Sequence, residues 1–313
     1  MHFPTRVRAV GHSRLLPWSL LTAVLLALAG CSSVKIAYNN LDLYLLWKAD
    51  DYFALASEQR EQLKATLDST TAWHRSEELS RYAAVLMEAR ERVGGSIGET
   101  DIEWLLHAAR LRYEALAQHA APRAAEVLRS LSPAQIAHFE ATLRRDNDAF
   151  AAEYVDVTPE VQRRQRLKRT TELVEEWVGP LSEAQRTRMA QLYSGIPLIN
   201  ALRLADRQRR QRALVVLLAQ QRTAASLAPA LEAWMIEWDQ GRSPEYEAAL
   251  REQRQQTVAM VVDIERTLSP AQRAHLQTRL GRYAGELKSL ATALPVRAAA
   301  LDATGLLRPI GIH

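Results

Sequence analysis

Apolar residues recur along this chain at steps of three and four, and that spacing constrains the fold more than any other feature. Leu79, Tyr82, Leu86, Ala89 and Val93 fall on one helical face. So do Ile102, Leu105, Leu106, Ala109, Tyr113 and Leu116. Ile136, Phe139, Leu143, Phe150 and Tyr154 form a third stripe, interrupted by polar Asn147. Three more run through Leu167, Thr170, Val174, Trp177 and Val178, through Tyr246, Leu250, Gln253, Thr257, Met260, Ile264 and Leu268, and through Leu276, Leu280, Tyr283, Leu287 and Leu290. Period-2 runs are absent and β-branched residues are sparse, so the expected class is all-α.

Turn chemistry places the breaks. Val93-Gly94-Gly95-Ser96-Ile97-Gly98 ends one helix, and Thr100 or Asp101 can cap the next. Thr158-Pro159 opens another with proline at its first position. Val178-Gly179-Pro180, Gly195-Ile196-Pro197 and Gly241-Arg242-Ser243-Pro244 are further stops. Long antiparallel amphipathic helices follow, in one elongated bundle or in two sub-bundles meeting near 179–197. A helical domain is expected over 31–294. The tail 295–313, which carries Gly305, Pro309 and Gly311, reads as loosely ordered.

The first thirty residues are of another kind. Arg6, Arg8 and Arg14 make a positive start with no acid, and a mostly apolar stretch runs from Leu15 to Ala29. It is shorter than the ~20 residues that span a bilayer, and it ends in Leu28-Ala29-Gly30-Cys31. Small residues before a cysteine resemble the bacterial lipobox. That resemblance implies a signal peptide over 1–30 and a lipidated Cys31. One acyl chain holds a membrane weakly, at ~0.8 kcal/mol per buried CH₂, and several hold it durably. Ser32 and Ser33 follow, without the Asp of Gram-negative inner-membrane retention. The expected location is therefore the outer membrane, lipid-anchored and facing the periplasm.

Charge then reads differently. The formal charge of +4 falls to +1 once 1–30 and its three arginines are removed, which takes away the compositional case for nucleic acid. Cys31 is the single cysteine, so disulfides and thiolate metal sites are excluded and stability rests on packing. Hydrophobic residues, at 48%, suffice for a core.

One short pattern repeats. Leu131-Ser132-Pro133-Ala134-Gln135, Leu181-Ser182-Glu183-Ala184-Gln185 and Leu268-Ser269-Pro270-Ala271-Gln272 share L-S-x-x-Q, and Leu55-Ala56-Ser57-Glu58-Gln59 is a degenerate copy. Ser at the N-cap, Gln three residues later and Leu just before make a capping box with a hydrophobic staple, worth about 1 kcal/mol per cap. The pattern also resembles the L-T-x-x-Q motif of the periplasmic Spy/CpxP stress chaperones. Its irregular intervals exclude a solenoid, and spacing does not choose between local capping and a chaperone cradle.

A wider resemblance rests on Cys31-Ser32-Ser33, Tyr38-Asn39-Asn40, Asp50-Asp51-Tyr52, the Leu55 to Gln59 element, Trp73-His74-Arg75, Glu78-Leu79, Tyr82 and Leu86. Together these resemble a proteobacterial lipoprotein family known only as a domain of unknown function. It implies an all-helical envelope lipoprotein and assigns no reaction.

Candidate chemistry is thin. Trp73-His74-Arg75 with Glu77, Glu78 and Tyr82 is either a polar binding site, with Arg75 meeting a carboxylate and His74 sensing pH, or a tryptophan anchor beside a surface ion pair. Arg163, Arg164, Arg166, Lys168 and Arg169 sit among acids, with Glu160–Arg164 and Lys168–Glu172 at i, i+4, and read as a self-compensated face. Arg203, Arg207, Arg209, Arg210 and Arg212 meet only Asp206 and precede apolar Leu214-Val215-Val216-Leu217-Leu218. They form either a docking strip for anionic headgroups or an acidic protein, or an exposed basic face leading into a buried helix. Trp234 and Trp238 are expected on one helix face with Leu231 and Met235. Glu103 and His107 alone do not make a metal site, and no nucleophile elbow, phosphate loop or calcium loop is found. No catalytic residue, metal or cofactor is assigned. The expected function is a non-enzymatic envelope binding or scaffold protein partnered by the membrane and by an envelope protein or anionic lipid. A chaperone for unfolded clients is the alternative, and a cell-envelope enzyme the third reading.

Overall fold

A computed structural model describes residues 33–220 and 223–293. Residues 1–30, where a signal peptide is expected, Cys31 and the tail 295–313 lie outside them. The described residues are all-α, as the stripes predict. The chain divides after Asn40. In the first unit, Ser33–Asn39 forms α1. The second unit carries α2 (Leu41–Phe53), α3 (Ser57–Trp73), a π turn (His74–Glu78), α4 (Leu79–Val93), α5 (Glu99–Leu128), α6 (Pro133–Tyr154) and α7 (Pro159–Val178). It continues with α8 (Glu183–Ser194), α9 (Asn200–Ala219), α10 (Ala224–Ile236), α11 (Pro244–Arg266) and α12 (Pro270–Thr292).

Helix ends follow local chemistry. Pro159, Pro244 and Pro270 open their helices behind Thr158, Ser243 and Ser269, whose hydroxyls accept first-turn N–H bonds. Gly179 stops α7 at φ 85, a left-handed conformation that glycine adopts without the Cβ penalty. Two boundaries differ from expectation. Gly98 caps α5, and Asp101 reaches back to its N–H at 2.9 Å as the third helical residue. Helix α11 ends before Leu268, which packs on the core as the residue preceding the Ser269 cap.

Long-range bonds fix two antiparallel pairs. Arg75, at the head of the α4 arm, donates to the Leu290 carbonyl near the end of α12, while Arg273 at its start donates to Val93 and Gly95 carbonyls. Helices α6 and α9 run likewise: Asn200 bonds the Tyr154 carbonyl, and Asn147 bonds Gln211 further along. Asn147, the polar break in its stripe, is therefore a buried cross-helix tie. One core gathers Val178, Leu181, Met189, Tyr193, Ile196, Met260 and Ile264, to which α8 and its flanking turns contribute one face. A second gathers Leu55, Leu131, Phe139, Leu143 and Leu218, with Tyr52 and Phe53 of α2 against it.

The four L-S-x-x-Q elements meet in twos. Gln59 and Gln135 exchange side-chain amide bonds of 3.2 and 2.6 Å. Each also donates to the carbonyl two residues before the other's cap, Gln59 to Ser130 at 2.8 Å and Gln135 to Ala54 at 3.1 Å. Gln185 and Gln272 repeat the arrangement, with reciprocal bonds of 3.0 Å and donations to Thr267 at 2.9 Å and Pro180 at 2.8 Å. Every glutamine oxygen meanwhile accepts its own cap N–H at 2.9–3.0 Å. Ala56 has no hydroxyl, so the degenerate copy keeps only this half of the box. Arg129-Ser130-Leu131-Ser132-Pro133-Ala134-Gln135 and Arg266-Thr267-Leu268-Ser269-Pro270-Ala271-Gln272 differ at one residue, and Ser130 and Thr267 take the same place against the partner glutamine.

Candidate functional site

Trp73-His74-Arg75 lies at the junction of α3 with the five-residue π turn. Such turns accommodate one extra residue in a helix and are frequent at functional sites. The Trp73 ring stacks on His119 of α5 with centroids 3.7 Å apart and planes 6° from parallel. His74 faces Tyr82 at 5.4 Å, and the Arg75 guanidinium donates to the Leu290 carbonyl at 3.0 Å. The centre of the cluster is Glu78, which has no exposed surface. Its Oε1 takes Arg81 at 2.6 Å and its Oε2 takes Arg112 of α5 at 3.1 Å.

Burial pushes the His74 imidazole below its ordinary value, and the Glu78 charge opposes that shift. Burial raises the Tyr82 phenol, with Glu78 adding and Arg112 opposing. His74 is thus neutral near neutral pH. Both Glu78 oxygens are engaged, so the carboxylate acts as a structural anion holding α5 to the turn. Sequence reading grouped Trp73, His74, Arg75 and Tyr82; the His74 ring meets those of Trp73 and Tyr82, while Arg75 reaches the Leu290 carbonyl on α12. It did not find Arg112 or His119, whose separation along the chain leaves no local signal.

Asp50-Asp51-Tyr52 makes a similar tie. The Tyr52 hydroxyl meets the Asp146 carboxylate of α6, and burial, then Asp146, push the phenol up to about 12. Asp50 pairs with Arg60 at 2.7 Å, and the Asp51 carbonyl meets His138 at 3.0 Å.

The five arginines of α9 divide. Arg209 donates to the Trp238 carbonyl at 3.2 Å and to that of Gln240, and pairs with Asp206 at 2.8 Å. Arg210 donates to the Trp234 carbonyl at 3.2 Å and lies 4.9 Å over its ring, while the indole N–H returns a 3.0 Å bond to the Arg210 carbonyl. Cations here answer the outward carbonyls that end α10. Arg209 and Arg210 therefore clamp α10 to α9 around a cleft of about 260 Å³. Trp238 sits in the turn after Ile236 rather than on the face of α10, and packs on Tyr113 at 5.0 Å. Arg207 lies 5.7 Å over Phe150. Arg203 and Arg212 are exposed.

On α7, Lys168 and Glu172 pair at 3.8 Å. Among the described residues no ion pair joins Glu160 to Arg164. The Glu160 carboxyl is held low by the helix-start backbone and by Thr158. Arg166 and Arg169 turn instead toward Arg203 of α9. With Phe150, Tyr154 and Asn200 they line a cleft of about 410 Å³ where α6, α7 and α9 meet. Arg166 donates to the Pro197 carbonyl at 3.0 Å and lies 5.3 Å over Tyr193. Arg169 lies 4.7 Å over Tyr154.

Among the described residues no group of three or more His, Cys, Asp or Glu is placed to hold a metal. Glu103 forms an ion pair with Arg254 of α11. No described helix is long and apolar enough to cross a membrane. No curated protein and no solved structure matches the chain. A family model does, over residues 51–247, and the chain belongs to that family, a family of unknown function (DUF6279).

Proposed function

We propose that this protein is a bacterial envelope lipoprotein, held by lipids on Cys31 at the periplasmic face of the outer membrane, where its helical body serves as a non-enzymatic binding or scaffold module. The observation that carries the reading is the division of α2. Its second half packs into the core through Ala49, Tyr52 and Phe53. Its first half leaves Leu41, Leu43, Tyr44, Leu45 and Trp47 exposed, Tyr44 at 53% and Trp47 at 52%. Exposed aliphatic and aromatic side chains with Lys48 beside Trp47, 5.7 Å from its ring, suit the level of lipid headgroups. Leu41 is ten residues after Cys31, a separation that even extended chain spans in at most ~36 Å. A lipid on Cys31 would therefore keep this segment close to the bilayer surface.

The L-S-x-x-Q elements support structure before client binding. Their glutamine amides are used in the two clasps, and Leu55, Leu131 and Leu181 are buried.

Fractionation tests the proposal. Wild-type protein should sediment with outer membranes and resist high-salt wash. Cys31→Ser should move it to the salt-extractable fraction, and Leu43→Ser with Trp47→Ser in that background should abolish the remaining vesicle binding. Unchanged membrane retention in Cys31→Ser, or recovery of wild type from the cytoplasm, would overturn the reading.

A further inference from the structure

The three-helix cleft between α6, α7 and α9 has a composition that the structural roles of its residues do not explain. Arg166, Arg169 and Arg203 bring three guanidiniums to a space of about 410 Å³, a size ordinary for small-ligand sites. None of the three forms an ion pair with a described residue, and no carboxylate lines the cleft. Other described arginines meet acids, as Arg186 meets Glu175 and Arg188 meets Asp263, or meet backbone carbonyls, as Arg123 and Arg210 do. Glu153 and Arg169 both reach the Tyr154 hydroxyl, with no ion pair between the two, and Glu172 is taken by Lys168.

Like charges gathered without a counter-ion oppose one another. Burial, with the charges of Arg203 and Arg169 adding, presses the Arg166 guanidinium below its ordinary value, and Tyr193 draws it back. The Pro197 carbonyl and the Tyr193 ring orient Arg166 without neutralising it. The Tyr154 ring does the same for Arg169. The cations are thus held in place and left uncompensated, which is the arrangement an oxyanion would complete.

We propose that this cleft binds a phosphate group carried on a small apolar or aromatic body. Guanidinium forks match phosphate oxygens two at a time. Arg169 and Arg203 would grip the phosphate from facing helices, with Arg166 behind them and the Asn200 side chain at the rim. Phe150, Tyr154 and Leu173 supply the apolar wall on which the rest of the ligand lies. The site stands independently of the lipid on Cys31, and its failure would leave that reading untouched.

Titration calorimetry on the full-length chain in a neutral detergent tests it, with phenyl phosphate and with dibutyrylphosphatidylglycerol, a short-chain anionic phospholipid diester. Saturable one-to-one binding of either probe is expected. Arg169→Ala and Arg203→Ala should each weaken it about tenfold or more, as loss of a charge-assisted bond worth ~1.5–3 kcal/mol requires. Arg212→Ala, exposed on the same helix outside the cleft, should leave it unchanged. Preference for phenyl phosphate would identify a soluble phosphomonoester as the ligand class, and preference for the diester a lipid headgroup. Absence of saturable binding to both probes, or an equal loss in Arg212→Ala, would overturn the proposal.

Discussion

Gln59, Gln135, Gln185 and Gln272 each serve two structures with one amide. The oxygen closes the capping box of its own helix, and the nitrogen crosses to the partner turn. Gln59 and Gln185 are largely buried, at 9% and 6% exposure, so these bonds have little water to replace them. A hydrogen bond contributes ~0.5–1.5 kcal/mol net, and a buried partner left unpaired costs ~1–3 kcal/mol. Gln185→Ala should therefore destabilise by ~2–3 kcal/mol in urea denaturation. The sharper expectation is coupling: a double-mutant cycle of Gln185→Ala and Gln272→Ala should show ~1 kcal/mol of interaction. Additive losses would mean that each glutamine acts only as a local cap. The cap was legible in sequence, because its parts lie within four residues. The pairing was not, because partners stand 76 and 87 residues apart and nothing local distinguishes an inward glutamine from an exposed one.

Helices α3 and α4 run into one another through the π turn, and the turn is where Glu78 enters. Arg112 is 21% exposed and Glu78 fully buried, so removing the charge strands a half-buried guanidinium. Breaking a buried pair by altering one partner costs ~3–5 kcal/mol. Glu78→Gln should lose toward the lower end of that range, because Arg81 is solvated, and α5 should loosen first in hydrogen exchange. His74 and His119 both have imidazoles pushed below the ordinary value by burial. In such a group the unfolded chain takes the proton first. Stability is therefore unaffected well above the ordinary histidine pKa near 6.5, falls as pH drops below it, and levels off once the folded form is protonated as well. His74→Gln should flatten part of this fall below about pH 6.5, and His119 should account for part of what remains. An unchanged pH profile in His74→Gln would show that its ring titrates as if exposed.

The clamp of α9 on α10 illustrates what a linear sequence conceals at this scale. Charge counting saw Arg209 and Arg210 as a surplus, since carbonyls carry no sequence signature. In the fold they meet the Trp234, Trp238 and Gln240 carbonyls. Arg210→Ala should cost ~2 kcal/mol through lost charge-assisted bonds and the uncovered Trp234 ring. If it leaves the melting temperature unchanged, the clamp is not holding α10. Conversely, the α7 arginines looked balanced by i, i+4 acids, yet Arg166 and Arg169 turn away from their own helix toward Arg203. Periodicity marks which face of a helix is apolar, and it says little about which neighbour a long side chain reaches.

For the whole molecule, helical spacing gave the all-α class and most helix ends, because amphipathic stripes and Pro, Gly and Ser punctuation are local. The partners of those helices were not legible, and neither was the cleft, which draws on residues from 150 to 203. The family match over 51–247 covers α3 to α10 and supplies no activity, so the proposed function rests on the lipobox-like residues before Cys31 and on the apolar first half of α2. The proposed anchor would decide which compartment every other surface faces. Mass spectrometry of the N-terminal peptide from the purified membrane-bound protein tests it most directly. The account predicts a chain beginning at Cys31, with a thioether-linked diacylglyceryl group and an acylated amino terminus. A chain retaining residues 1–30, or one cleaved elsewhere with an unmodified Cys31 thiol, would contradict it.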